Sequence, residues 1–153
     1  MQYTAMPTDL VHAYRQGAAD ANGMAPEHSV SDGNGKPCRH CLRIIPKDAG
    51  MLILAHRPFA ELHPYAETGP IFLCADDCTR GGGTDVPEIQ ATSPHYLIKG
   101  YGSDNRIVYG SGKIVAKEDT ETFAADTLAD PQIAYLHVRS ASNNCYLLRI
   151  DRD

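Results

Sequence analysis

Residues 37–78 read PCRHCLRIIPKDAGMLILAHRPFAELHPYAETGPIFLCADDC. This stretch carries four of the chain's five cysteines, as a C-x2-C pair (Cys38, Cys41) and a C-x3-C pair (Cys74, Cys78) with 32 residues between them. Pro46–Gly50 reads as a turn, and Met51–His56 as a strand apolar enough to be buried on both faces. Arg57–Thr68, with Pro58 and Pro64, reads as an irregular connection, and Ile71–Leu73 as a second strand. A C-x2-C turn lets two sulfurs converge in a tight knuckle. If Ala75–Arg80 opens a short helix, Cys74 and Cys78 share one face of it, because residues i and i+4 do. Knuckle, hairpin and helix start is the order of a treble-clef zinc finger. Structural zinc takes four tetrahedral ligands, usually thiolate and imidazole. Cys38, Cys41, Cys74 and Cys78 are therefore the candidate ligand set, with Zn as the expected cofactor.

Two other readings of these cysteines stay open. Cysteine is among the most buried residue types and often acts as a small hydrophobe. Cys38 and Cys41, flanked by positive charge, also form a C-x-x-C that favours a low thiol pKa. No βαβ pattern of a thioredoxin surrounds that pair.

Working outward, a chain of 153 residues fits one domain. A chain this long buries about 68–70% of its unfolded surface, so a metal would add to a core rather than replace one. With a formal charge of −5, the chain lacks the basic excess of a nucleic-acid binder held by phosphate contacts. Lys36, Arg39, Arg43 and Lys47 read as a solvated basic face. The first residues lack the basic and apolar regions of a signal peptide, and no window is apolar enough to span a membrane. A cytoplasmic location follows as the expectation, where stable disulfides are rare.

Before the cysteine segment, Thr8 or Asp9 is placed to cap a helix that Asn22-Gly23 ends. The rest of residues 1–36 reads as a loop lead-in with at most a short strand at Glu27–Val30. Gly81–Gly83 reads as a flexible loop. Residues 94–151 are mainly β. Tyr96–Tyr101 and Arg106–Val115 flank a hairpin turn, with a break at Gly110 and Gly112. A helix capped by Asp119 or Thr120 runs to Leu128. Ile133–Arg139 and Cys145–Ile150 form a further hairpin. Strands and helices do not alternate as βαβ, which gives an α+β class with antiparallel hairpins and two or more helices.

A second group of residues is polar within strand-like phrases. His137 and Arg139 share one strand face, and Arg57, Tyr65, Glu67 and Asn144 lie at strand ends or in loops. Two guanidinium forks with His and amide donors suit a carboxylate or phosphate. The competing reading makes Arg139–Glu67 a structural ion pair and Asn143-Asn144 turn formers. In an enzyme, His137 or Glu67 would be the general base by residue type.

Within Cys38–Leu54, the run CLRIIPKDAGMLIL resembles the start of the zinc finger of poly(ADP-ribose) polymerases. There a C-x2-C and an Ile-Pro-Lys-type turn precede a strand and a distant His/Cys pair. A wider resemblance is carried by Pro37-Cys-Arg-His-Cys-Leu42, Leu54-Ala-His-Arg-Pro-Phe59, Pro64-Tyr-Ala-Glu-Thr-Gly-Pro-Ile-Phe72, Arg106-Ile-Val-Tyr-Gly110, His137-Val-Arg-Ser-Ala141 and Asn143-Asn-Cys-Tyr146. These phrases resemble a bacterial family known as domain of unknown function 1203, which implies no activity, substrate or cofactor. In that family His is common where this chain has Cys74, an exchange between two zinc-ligand types. A cysteine is also common where this chain has Leu148, and a ligand from that hairpin would bring Cys145 into the set.

The reading that follows is a binding or interaction module with a structural zinc, its partner unspecified. The alternatives are a small-anion binder or enzyme using Arg57, Glu67, His137 and Arg139, and a thiol oxidoreductase using Cys38 and Cys41.

Overall fold

A computed structural model describes residues 1–153. Its elements are β1 (Gln2–Thr4), α1 (Thr8–Arg15), β2 (Glu27–Val30), β3 (Gly50–His56), β4 (Gly69–Cys74) and β5 (Gly82–Gly83), then β6 (His95–Tyr101), β7 (Lys113–Ala116), α2 (Thr120–Leu128), β8 (Tyr135–Ser140) and β9 (Tyr146–Asp151). They form two antiparallel sheets, one of six strands in the order β5-β1-β9-β8-β6-β7 and one of three in the order β2-β3-β4. This is the α+β class that the sequence predicts. Neither helix is long and apolar enough to cross a membrane.

The large sheet follows from period-2 patterning. Leu136 and Val138 of β8 pair with Ile150 and Leu148 of β9 and send their side chains to one face. There they join Ile98, Ala124 and Leu128 in a core of 15 buried residues beneath α2. The opposite face carries Tyr135, His137 and Arg139, and it is buried as well. The irregular connection at 57–68 covers it, with Phe59 packed on Tyr101 and Tyr135. The small sheet puts Leu52, Leu54, Ile71 and Leu73 against Val11 and Tyr14 of α1 and Cys38 and Ile45 of the knuckle, a core of 10 buried residues.

Several local expectations are corrected. The first helix stops at Arg15, and Gly17 at φ 87° turns the chain well before Asn22-Gly23. Neither helix has a side-chain cap. Thr8 meets His40 instead, and Thr120 donates to the Lys117 carbonyl. The arm expected from Arg106 is strand only from Lys113, because the chain turns at 108–112. Gly81–Gly83 is not a free loop. Gly82 and Gly83 pair with Thr4 and Tyr3 of β1, and a side chain at Gly82 would lie 2.6 Å from the Tyr3 carbonyl oxygen. Arg39, expected on a solvated basic face, is only 3% exposed.

Candidate metal centre

Local backbone geometry brings the four cysteines together. In the knuckle, the Cys38 amide donates to the Arg43 carbonyl (2.9 Å) and the Leu42 amide to the Cys38 carbonyl (3.0 Å). Leu42 turns the chain with φ 56°. Gly81 lies under this turn and donates to the His40 carbonyl at 2.8 Å. A side chain at Gly81 would run into the carbonyl oxygen of Cys41, so glycine there permits the close approach. Cys74 is the last residue of β4, and its amide donates to the Cys38 sulfur at 3.3 Å.

Ala75–Arg80 forms a bend and coil, not the expected helix. The knuckle and hairpin of a treble clef are present and its helix is not. Cys78 reaches the group because the chain bends back, not because it shares a helix face with Cys74.

The four sulfurs all lie within 4.8 Å of one another. The Cys41 and Cys74 sulfurs are 4.0 Å apart. Tetrahedral thiolates at about 2.3 Å from zinc stand about 3.8 Å from each other, so the four need only a small contraction to hold such an ion. Hydrogen bonds from Cys41 and Cys74 push the Cys38 thiol far below its usual range. The same bond pushes Cys41 up to about 12, and Cys74 is driven upward by Cys38 and Cys41 together.

An outer layer of donors surrounds the sulfurs. Arg15 directs Nη2 to the Cys78 sulfur (3.2 Å) and Nε to the Cys74 carbonyl (3.1 Å). His40, fully buried, sets Nδ1 3.2 Å from the Cys78 sulfur and Nε2 3.0 Å from the Thr8 hydroxyl. Burial lowers the His40 pKa, which favours the neutral ring. Arg39 donates Nε to the Tyr146 carbonyl (2.8 Å) and Nη1 to the Pro37 carbonyl (2.6 Å) and meets no carboxylate. Burial lowers its pKa to about 10, while Cys145, Cys38 and Tyr146 favour its charged form. Four thiolates around a divalent cation carry two surplus negative charges, and Arg15 sets one cation against the group.

The hairpin alternative places nothing at this centre. Cys145 sits outside the four-sulfur group, at the β8–β9 turn with its sulfur 3.7 Å from the Asn143 carbonyl, and Leu148 is fully buried in the large core.

The six polar candidates do not come together. Glu67 lies between two cations, with Arg139 Nη2 at 2.9 Å from Oε2 and Lys99 Nζ at 3.0 Å from each carboxylate oxygen. This is the structural ion pair, extended by Lys99. Asn144, at φ 58°, gives its carbonyl to Arg139 within the turn. Tyr65 meets Tyr109 through their hydroxyls and lies beneath Arg106. Arg57 and His137 instead line a cleft of about 500 Å³ with His56, Arg80, Arg149 and Tyr146.

Sequence reasoning missed Arg15 and Arg80, which lack any spacing signal; His56 offered only a pairing with His63, seven residues on across Pro58, and His40 read only as positive charge. Arg149 was within reach, since it alternates with the core residues Leu148 and Ile150 and so shares a face with His137, its partner across the ladder.

A family model described as "Protein of unknown function (DUF1203)" matches residues 35–152. The chain belongs to that family. No curated protein and no solved structure matches it.

Proposed function

We propose that this member of a family of unknown function is a small binding module whose Cys38–Cys78 segment is closed by one structural zinc ion. The observation that carries this reading is the mutual approach of four sulfurs within 4.8 Å, backed by donors from Arg15 and His40. An all-thiolate tetrahedral set favours zinc or iron over harder cations. Four protein ligands fill that shell and leave no position for a substrate, which is the pattern of structural rather than catalytic zinc. The ion would draw α1, the knuckle and the β3–β4 hairpin into one unit. Such a centre suits a reducing compartment such as the cytoplasm, where thiols stay unpaired. Redox exchange at Cys38 and Cys41 is disfavoured by access, since Cys38 is fully buried and exchange needs an exposed thiolate.

The test is elemental mass spectrometry on untagged protein purified without added metal, followed by melting with and without a strong chelator. One zinc per chain and a lower melting temperature after chelation are expected. No bound metal and an unchanged melt would refute the proposal.

A further inference from the structure

A cleft outside the four-sulfur group offers a different chemistry. The cleft of about 500 Å³ lies between the start of α1, the paired strands β1 and β9 and the chain leaving β3. Its size is within the range of small-molecule sites, about 300–1,000 Å³. Three arginines line it with one carboxylate, Asp151. Asp151 is already committed, since Arg149 Nε donates to it at 2.6 Å and the Thr4 hydroxyl does so at 2.6 Å. Arg149 also stacks on Tyr135, 3.7 Å from the ring centre.

Arg57 and Arg80 have only carbonyl partners. Arg80 donates to Ala5 (2.7 Å) and Met6 (3.1 Å). Arg57 donates Nε to Phe59 at 3.2 Å, one of five guanidinium donors. Two guanidinium charges therefore face the cleft without an anion. At its inner wall stands His137, 1% exposed, its Nδ1 buried with no hydrogen-bond partner. Such an orphan in a native fold calls for a partner. Rings of Phe59, Tyr101, Tyr135 and Tyr146 lie 4.6–5.3 Å from the His137 ring and fix its orientation. The remaining wall is apolar, with Met6, Pro7, Leu10, Pro58 and Phe59.

A second hollow, of about 530 Å³ beside Asp20, Asn22 and Ala55, has no cation to compare with this. Its Asp20 is spent on the amides of Asn22, Met24 and Ala55.

We propose that this cleft binds a small organic anion, its carboxylate or phosphate head on Arg57 beside His137 and its apolar body against Met6, Leu10 and Phe59. Arg57 supplies the charge-assisted bonds and His137 a neutral donor or acceptor. Arg80 positions the wall by tying β1 and the start of α1 to the segment that follows Cys78. The arrangement favours an anion with an apolar body over a bare inorganic one, because half the wall has no polar group to offer.

The experiment is a titration of the full chain as purified, with its own metal content, followed by two-dimensional amide and imidazole NMR. The probes are phenylacetate, phenyl phosphate and inorganic phosphate. Saturable shifts confined to cleft residues are expected with at least one organic probe. Inorganic phosphate should bind about tenfold or more weakly than that probe, since it buries no apolar surface. Arg57→Ala loses only one bond to a backbone carbonyl, so its amide spectrum should stay folded while organic-probe affinity falls about tenfold or more. Arg57→Lys should recover less than the full affinity, for want of the planar fork. No saturable shift with either organic probe, equal binding of inorganic phosphate, or undiminished affinity in a folded Arg57→Ala protein would each overturn the proposal. None of these results depends on which metal the cysteines hold.

Discussion

The two sheets reach order by different means. The six-stranded sheet buries both faces of β8 and rests on a core of 15 residues, among them Leu136, Val138, Leu148 and Ile150. The three-stranded sheet has a core of 10, and its edge strand β2 is exposed along its whole length. The first is held by apolar area. The second has less area to bury, and it adds four converging sulfurs, two of them from a knuckle with no regular strand. The difference teaches where a group able to hold a metal is placed in this chain: in the half with the smaller buried core.

The comparison breaks most visibly if metal is removed. Apparent binding energies of structural zinc in finger peptides run to about 10–16 kcal/mol, an upper guide for a segment that also has a core. Hydrogen exchange after chelation should show lost amide protection in β3 and β4 while β8 and β9 keep theirs. Uniform loss across both sheets would mean that they are one cooperative unit.

Next in size is the converse change. Leu148→Ala removes a fully buried side chain from the large core and should cost about 2–5 kcal/mol. Denaturant unfolding should give a similar loss with and without chelator, since the residue sits away from the sulfurs.

Acid probes the seam. His56 ends β3 in the small sheet and lies 5.6 Å from the Tyr146 ring of the large one. Burial, with Arg39, Arg139 and Arg57, lowers its pKa to about 4. The unfolded chain therefore takes up a proton near pH 6.5 that the folded chain refuses. This contribution to stability is complete above about pH 6.5 and is lost as the pH falls toward 4. Each tenfold step is worth about 1.4 kcal/mol, so the loss is on the order of a few kcal/mol. His56→Phe should flatten the fall in melting temperature across that window. Thiolate protonation acts equally on both proteins, and an identical slope would contradict the assignment.

The smallest effect sharpens the metal side alone. Arg15→Gln removes the donor to the Cys78 sulfur. Loss of an outer partner typically costs about 10–100-fold in metal affinity. Competition with a chromophoric chelator should show such a drop with little change in the apo protein's melting.

Much of this was legible in the residues. The β3–β4 hairpin follows from two short apolar runs, the β8–β9 hairpin from alternation and turn residues, and the knuckle from the C-x2-C spacing. The cysteine set was readable because two pairs flank a hairpin, which must bring its ends together. What was hidden depends on non-local partners. β1 has three residues, too few for a period, and exists because β9 and β5 offer it edges. The first helix ends early because Gly17 takes a left-handed turn, which composition does not announce. Arg39 sits in a basic run, yet the β9 carbonyl of Tyr146 draws it inside. The Glu67–Arg139 ion pair was one of the two readings that their residue types allow, whereas the cleft on Arg57 needed β1, α1 and β9 to be placed first.

The most direct measurement is a thiol count on the native protein, before and after a strong chelator. Cys145, at a turn and outside the four-sulfur group, should react at once. Cys38, Cys41, Cys74 and Cys78 should stay protected until the metal is withdrawn, and then react together. Reaction of the four before chelation, or a reversible Cys38–Cys41 disulfide in the native protein, would contradict the metal-closed segment.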